Sequence, residues 1–407
     1  MCLEMPVSAF ALAKFPNPEP NLSAFAGLLI AICFFFESPI LNLLGSSAAL
    51  VRTKEDLKIL HKLLYILCAV IASIFSLLVL SPFAKFTIIP LFGSTEELYT
   101  FAFPALVFGI TWPFLVGYRR VNQGLFVFIG KSKLVGLTSI SRILGLIVSL
   151  YCCYYLDLQL SGITIVSLCM TFAVFVEALL SKILLEKYAK PRLTNAKSEL
   201  TLRSTWHYCF PLILSSTMSQ LIMPLGAAIL FRLPQSALSL VIWPALSGLI
   251  SIVRTPGSSL IELTASCGQS AENRSKLLKF ANKISMFLFL LLVVFALTGW
   301  AQTYFVFVGG LGIEQARFAS TALVFGLLYP VLETRLWYLT GCAYALKKTK
   351  VAAHATAVGV SVGIFTFVVG VNQTHFSGAA FLLILLTIYT VAEIAVFSRQ
   401  LSTRSHS

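Results

Sequence analysis

Charge is what this sequence has least of. Lys, Arg, Asp and Glu make up 11% of its 407 residues, under half the roughly 25% of a soluble domain. A surface so poor in charge excludes a water-soluble globular protein. Histidines number only five and are scattered. The nine cysteines lie mostly inside apolar runs without paired metal spacing, so they read as small packing residues, and no disulfide, zinc or other metal site is expected. Catalytic signatures are missing as well: no GxGxxG, no GxxxxGK[ST], no HExxH, and no GxSxG in a strand–turn–helix context. The expectation is a chain that is not an enzyme and carries no cofactor.

What is present is apolar sequence in long blocks. Hydrophobic residues make up 58% of the chain, and about 20 in a row suffice to cross the hydrocarbon core as a helix. Eleven spans are expected, at 23–45, 60–81, 99–118, 134–156, 160–182, 207–231, 236–263, 280–305, 318–345, 351–371 and 376–398. The longest polar stretch, 186–205, reads as a cytoplasmic linker between an N-terminal bundle (1–185) and a C-terminal bundle (206–398), with a cytoplasmic tail at 399–407. Of the 30 Lys and Arg residues, 23 fall in loops on one side of these spans and 4 on the other. By the positive-inside rule the C-terminus is cytoplasmic, and with no further domain the location expected is a bacterial inner membrane. The net charge of +14 is spread over those loops, with no basic stripe interleaved with aromatics, so nucleic acid is not an expected partner. Membrane lipid is.

The chain also repeats itself. At an offset of 217, Ala105–Gly109 recurs as Ala322–Gly326, Pro113 as Pro330, Gly124 as Gly341, Lys131 as Lys348, and Ser38-Pro39 maps to Thr255-Pro256. Glu177 maps to Glu393 at offset 216. Pro, Gly and Lys in register imply two parallel repeats of one helical unit. Residues 1–14 match the back half of the 207–231 span, whose front half has no counterpart, so the N-terminus reads as truncated within a first helix. The fold class expected is therefore all-α and polytopic, with two pseudosymmetric six-helix bundles and the first helix incomplete.

Ionisable groups inside spans are costly and mark candidate sites. Glu37 and Arg254 precede the paired Ser/Thr-Pro steps; with Glu333, Arg335 and the weaker polar candidates Gln220 and Ser219 they are expected to line a central cleft. Pro39, Pro256, Pro113 and Pro330 are expected hinges, because proline removes a helix hydrogen bond. Arg142 with Glu177, and His354 with Glu393, are expected to form structural ion pairs.

The order of Phe34-Phe35-Phe36-Glu37-Ser38-Pro39, Arg52-Thr53-Lys54, Phe103-Pro104, Phe210-Pro211, Leu339-Thr340-Gly341 and Leu346-Lys347-Lys348-Thr349 resembles the multidrug/oligosaccharidyl-lipid/polysaccharide (MOP) flippase superfamily. That superfamily includes the multidrug and toxic-compound extrusion (MATE) transporters; within it the progressive ankylosis group is the most similar. The resemblance implies twelve helices in two bundles around a V-shaped cleft, alternating access, and export of a solute, with H+ or Na+ as candidate coupling ions. For the progressive ankylosis group it implies pyrophosphate, nucleotide or other organic anions. The chain departs from the pattern at the front of its first helix, where the coupling acids of some extrusion members have no counterpart. The function expected is secondary-active export of a small organic or inorganic anion. Arg254 and Arg335 would bind the anion, and Glu37 would be a gating or proton-linked partner. A lipid-linked oligosaccharide flippase, a multidrug or cation antiporter and a non-transporting membrane scaffold are the alternatives.

Overall fold

The computed structural model describes residues 3–402 apart from Asp157, Gln269, Lys347 and Thr374. Among them there is no strand, only an isolated bridge between Thr53 and Thr194. Ten helical stretches are long and apolar enough to cross a membrane, and a bent pair makes eleven. The chain is thus an all-helical, multi-pass integral membrane protein. Many large apolar side chains are exposed, Phe86, Leu297, Phe307 and Phe365 among them, as a surface facing lipid requires.

Among the described residues the helices gather into two compact units, 15–224 and 3–14 with 225–402. The chain opens with α1 (Glu4–Leu12), which belongs to the second unit. The first unit holds α2 (Pro18–Ala24), α3 (Ile30–Glu37), α4 (Leu43–Leu50), α5 (Lys54–Leu80), α6 (Phe83–Phe92), α7 (Glu96–Gly109), α8 (Trp112–Phe128), α9 (Lys133–Tyr155), α10 (Gly162–Leu184) and α11 (Leu202–Gln220). After α12 (Ile222–Arg232), which begins at the junction, the second unit continues with α13 (Ser236–Ser258), α14 (Leu260–Cys267), α15 (Ala271–Leu297) and α16 (Trp300–Phe307). It ends with α17 (Ile313–Val324), α18 (Tyr329–Ala345), α19 (Thr349–Gln373) and α20 (Gly378–Ser402). Residues 403–407 of the expected tail lie outside the described residues.

The units divide later than the polar stretch 186–205. One reason is that the α11 half of the expected 207–231 span packs on α3, α4 and α5 of the first unit, where Asn42 donates to the Leu212 carbonyl (2.7 Å). The stretch itself is tied down. Thr194 pairs with Arg52 and Lys54 through backbone hydrogen bonds of 3.3 and 3.1 Å, and the Ser198 amide donates to Glu55 (2.7 Å). In the second unit Pro6 of α1 lies against Gly248 of α13, and Ala13 against Gly310.

Element boundaries follow local chemistry. α5 starts ahead of the expected residue 60 because Thr53 and Asp56 form a capping box, each side chain accepting from the other's amide. α15 starts ahead of 280 in the same way, Ser270 accepting from the Asn273 amide. The span expected at 280–305 is two helices, because Gly299 takes a left-handed turn (φ 76°) between α15 and α16. α17 and α18 meet at a 48° bend just before Pro330, which starts the next helix without needing an amide donor.

The repeat is visible as packing. A Cβ on Gly124 of α8 would meet the Leu44 carbonyl and Ser47 of α4, and one on Gly341 of α18 would meet the Ile261 carbonyl and Thr264 of α14. Each residue in the second set stands 217 places after its partner in the first. Both glycines let a short helix lie directly on a long one. Gly124→Ala and Gly341→Ala are expected to lower the detergent-solubilised melting temperature, each costing about 1–3 kcal/mol by overpacking. Gly136→Ala, with open space around its α-carbon, should leave it unchanged or raise it. Equal melting of all three would show that the close approach is not required.

Candidate functional site

Each unit holds a cluster of charged side chains among its helices. In the first unit α8 presents Trp112, Arg119 and Gln123 at helical spacing, so the three share one face. Against that face stand Arg142 of α9, Glu177 of α10 and Glu37 of α3. Glu177 is 0% exposed, Arg142 1% and Arg119 2%, so their charges must be answered inside the protein. Arg119 brings Nη1 and Nε each to 3.2 Å from the two Glu177 oxygens, and Arg142 Nη1 stands 3.6 Å from Oε2. Gln123 donates to Glu177 Oε1 (2.9 Å) and to Thr138 (3.0 Å), while Asn122 donates to Ser181 (3.0 Å). The Trp112 ring lies 5.5 Å from the Arg142 guanidinium, and its Nε1 donates to Glu37 Oε2 at 2.6 Å.

In the second unit Tyr329, Glu333 and Trp337 fall four residues apart along α18, again one face. Arg254 of α13 lies against it. Its Nη1 donates to Glu333 Oε1 at 2.5 Å and to the Tyr329 hydroxyl at 3.1 Å. The guanidinium stands 6.0 Å from the Tyr329 ring and 5.8 Å from the Trp337 ring. Tyr329 also donates to Glu333 Oε1 (3.1 Å). This pair is less sealed than the other, with the Arg254 side chain 31% exposed.

Glu37 and Trp112 stand 217 residues before Arg254 and Tyr329. The same two positions therefore form an aromatic–charge hydrogen bond in both units, with charge and direction both reversed: Trp112 donates to Glu37, and Tyr329 accepts from Arg254. The carboxylates Glu177 and Glu393 correspond too, but the arginine does not. Residue 359, 217 after Arg142, is a glycine whose α-carbon faces the Glu393 side chain. Glu393 is buried and accepts from Tyr389 (3.0 Å).

Other residues singled out in the sequence fall as follows. His354 Nδ1 has Gln400 as its partner at 2.5 Å, whereas Glu393 has Tyr389. Arg335 is half-buried, with Nη1 3.4 Å from Asn282 Oδ1 and the Tyr338 ring 5.7 Å away. Gln220 is the last residue of α11, half-buried beside Ser219 in the first unit. Pro39 sits in a tight turn between α3 and α4, Pro256 lies inside α13, and Pro113 and Pro330 occupy first turns of α8 and α18.

Arg119 is a correction. The sequence tally placed it in a loop after a span ending at 118; the structure runs that helix on to Phe128 and buries the arginine. The signal was the apolar run Leu125–Phe128 beyond the polar Asn122-Gln123 pair, which a loop has no reason to carry.

Because Glu177 serves two arginines, Glu177→Ala should be more damaging than Arg142→Leu. Removing the shared carboxylate leaves two buried cations facing each other, a loss of about 3–5 kcal/mol. Glu393→Gln keeps an acceptor for Tyr389 and should melt within a few degrees of wild type. Thermal unfolding in detergent checks the order, and Arg142→Leu proving the worst would break this account of the cluster.

No family profile and no curated protein sequence matches the chain. Solved structures do. An inward-facing MATE-family multidrug resistance transporter of the MOP superfamily aligns over 100% of this chain and 95% of its own, with a TM-score of 0.73 at 13% identity. The lipid II flippase MurJ aligns over 98% and 85%, with a TM-score of 0.70 at 13% identity. A MOP superfamily transporter from Pyrococcus furiosus, described as having a binding pocket of reverse polarity, aligns over 100% and 94%, with a TM-score of 0.61 at 13% identity. At such identities the likeness is one of architecture, and end to end the chain has the fold of the MATE transporters of the MOP superfamily.

Proposed function

We propose that the chain is a secondary-active transporter that exports a small organic or inorganic anion by alternating access, coupled to an H+ or Na+ gradient. It would act in a bacterial inner membrane with its C-terminus cytoplasmic, an orientation the one-sided distribution of Lys and Arg supports even with Arg119 removed from the loops. The observation that carries the anion is Arg254. This intramembrane guanidinium is framed by two aromatic rings, is partly exposed, and is held at rest by a carboxylate of its own unit. A phosphate or carboxylate substrate offers the same paired oxygens as Glu333 and takes its place on the guanidinium. Arg335, on α18 with Glu333 and in long contact with Asn282, supplies the second cation. Glu37, tied to Trp112 at the matching position of the other repeat, is the gating or proton-linked partner.

A specific observation favours a second reading, extrusion of cations. The second unit buries Glu393 near Glu333, and among the described contacts Glu393 is met by the Tyr389 hydroxyl where Glu333 is met by Arg254. Transport in proteoliposomes separates the two. For anion export, Arg254→Gln should cut transport of pyrophosphate or a dicarboxylate at least tenfold, while Glu333→Gln, which frees the guanidinium, lowers the apparent KM. If Arg254→Gln transports every anion tested like wild type, while Glu333→Gln abolishes efflux of a lipophilic cation, the second reading replaces the first.

A further inference from the structure

The seam between α9 and α10 carries more than the Arg142–Glu177 pair. Along α9 the residues facing α10 are Gly145, Ser149 and Cys153, four apart; along α10 they are Cys169, Ala173 and Val176. Small side chains bring the helices close: a Cβ on Gly145 would stand 3.7 Å from the Ala173 α-carbon. The Ser149 hydroxyl turns back to donate to the Leu146 carbonyl (3.0 Å). One turn further along, the Cys153 and Cys169 sulfurs lie 3.6 Å apart. Cys169 is buried, Cys153 half-buried and Cys152 exposed. This end of the seam leads to the connection at 156–161, opposite the Lys- and Arg-rich loops. It therefore faces the compartment in which disulfides persist.

We propose that Cys153 and Cys169 are a redox modification site, a reversible disulfide that clamps the outer end of the α9–α10 pair. Closing 3.6 Å to the ~2 Å of a sulfur–sulfur bond takes about 1.5 Å, within reach of side-chain torsions while the packed backbones stay in place. The oxidant is a small-molecule disulfide. The Cys153 thiolate, the more accessible of the pair, attacks one of its sulfurs and expels one thiolate, giving a mixed disulfide. The Cys169 thiolate then attacks the Cys153 sulfur and expels the second. Two protein thiols and one external disulfide become one protein disulfide and two external thiols; the protons lost by the cysteines leave on those thiols. Since the same helices carry Arg142 and Glu177, the bond fixes one end of the seam that holds that ion pair.

The test uses the purified full-length chain in detergent with oxidised glutathione and reads protein mass, independently of transport. Wild type and Cys152→Ser should each lose two hydrogen atoms and two alkylatable thiols, and peptide mapping should join residues 153 and 169. The oxidised form should melt a few degrees higher, reversed by dithiothreitol. Cys153→Ser and Cys169→Ser should show neither change. A membrane-impermeant disulfide added to intact cells should form the same bond. Persistent alkylation of both thiols in folded wild type, a bond through Cys152 instead, or protection from the impermeant reagent would each overturn the proposal.

Discussion

A charge placed among lipid-facing helices has no water to answer it, and Glu177 shows how the first unit meets that constraint. The carboxylate is fully enclosed, so both its oxygens must be met by protein, and Arg119, Arg142 and Gln123 from two neighbouring helices do so. These contacts fix α8, α9 and α10 relative to one another at the depth of the carboxylate. Their placement in turn leaves the Trp112 indole free to reach Glu37 beside the Ser38-Pro39 step. The proline break is thereby fastened to the polar core, not left loose between two helices.

Duplication preserved geometry more faithfully than charge. Gly124 and Gly341 admit equivalent backbone segments, and Trp112 and Tyr329 hydrogen-bond equivalent positions, yet Trp112 donates to a glutamate while Tyr329 accepts from an arginine. A helix approach that excludes a Cβ tolerates one residue type, since any larger side chain displaces backbone. A polar aromatic tip allows more variety, because the indole N–H donates to a carboxylate and the phenol oxygen accepts from a guanidinium. The constraint therefore survives where it is steric and drifts where it is electrostatic.

This difference explains what the sequence made legible. The spans, their order and the repeat were readable because lipid imposes long apolar blocks, and because Pro and Gly recur wherever backbone approach demands them. The depth of Arg142 and Glu177 was readable from their distance to the span ends. Arg119 was not: a polar step of Arg119-Arg120-Val121-Asn122-Gln123 looks like a helix end until the buried carboxylate that receives it is known. Nor could the sequence show that α11 packs with the first unit while α1 packs with the second, since hydrophobicity specifies that a helix is buried but not in which unit. The Cys153–Cys169 approach depends on helix register, which composition does not encode.

The two ion pairs differ in how easily their partners can be exchanged. Replacing a partner inside the Glu177 cluster would expose sealed charges to a medium that cannot solvate them, and a second arginine remains to hold the carboxylate whichever one leaves. That cluster behaves as scaffold. The Arg254–Glu333 pair has a single arginine on its carboxylate among the described contacts, and the cation is already partly open, so its desolvation is incomplete. Breaking such a pair costs less, while the rings of Tyr329 and Trp337 flank the guanidinium. Where arginine stands beside the carboxylate in one repeat and glycine in the other, Glu177 is fixed electrostatically while Glu393 rests on the Tyr389 hydroxyl.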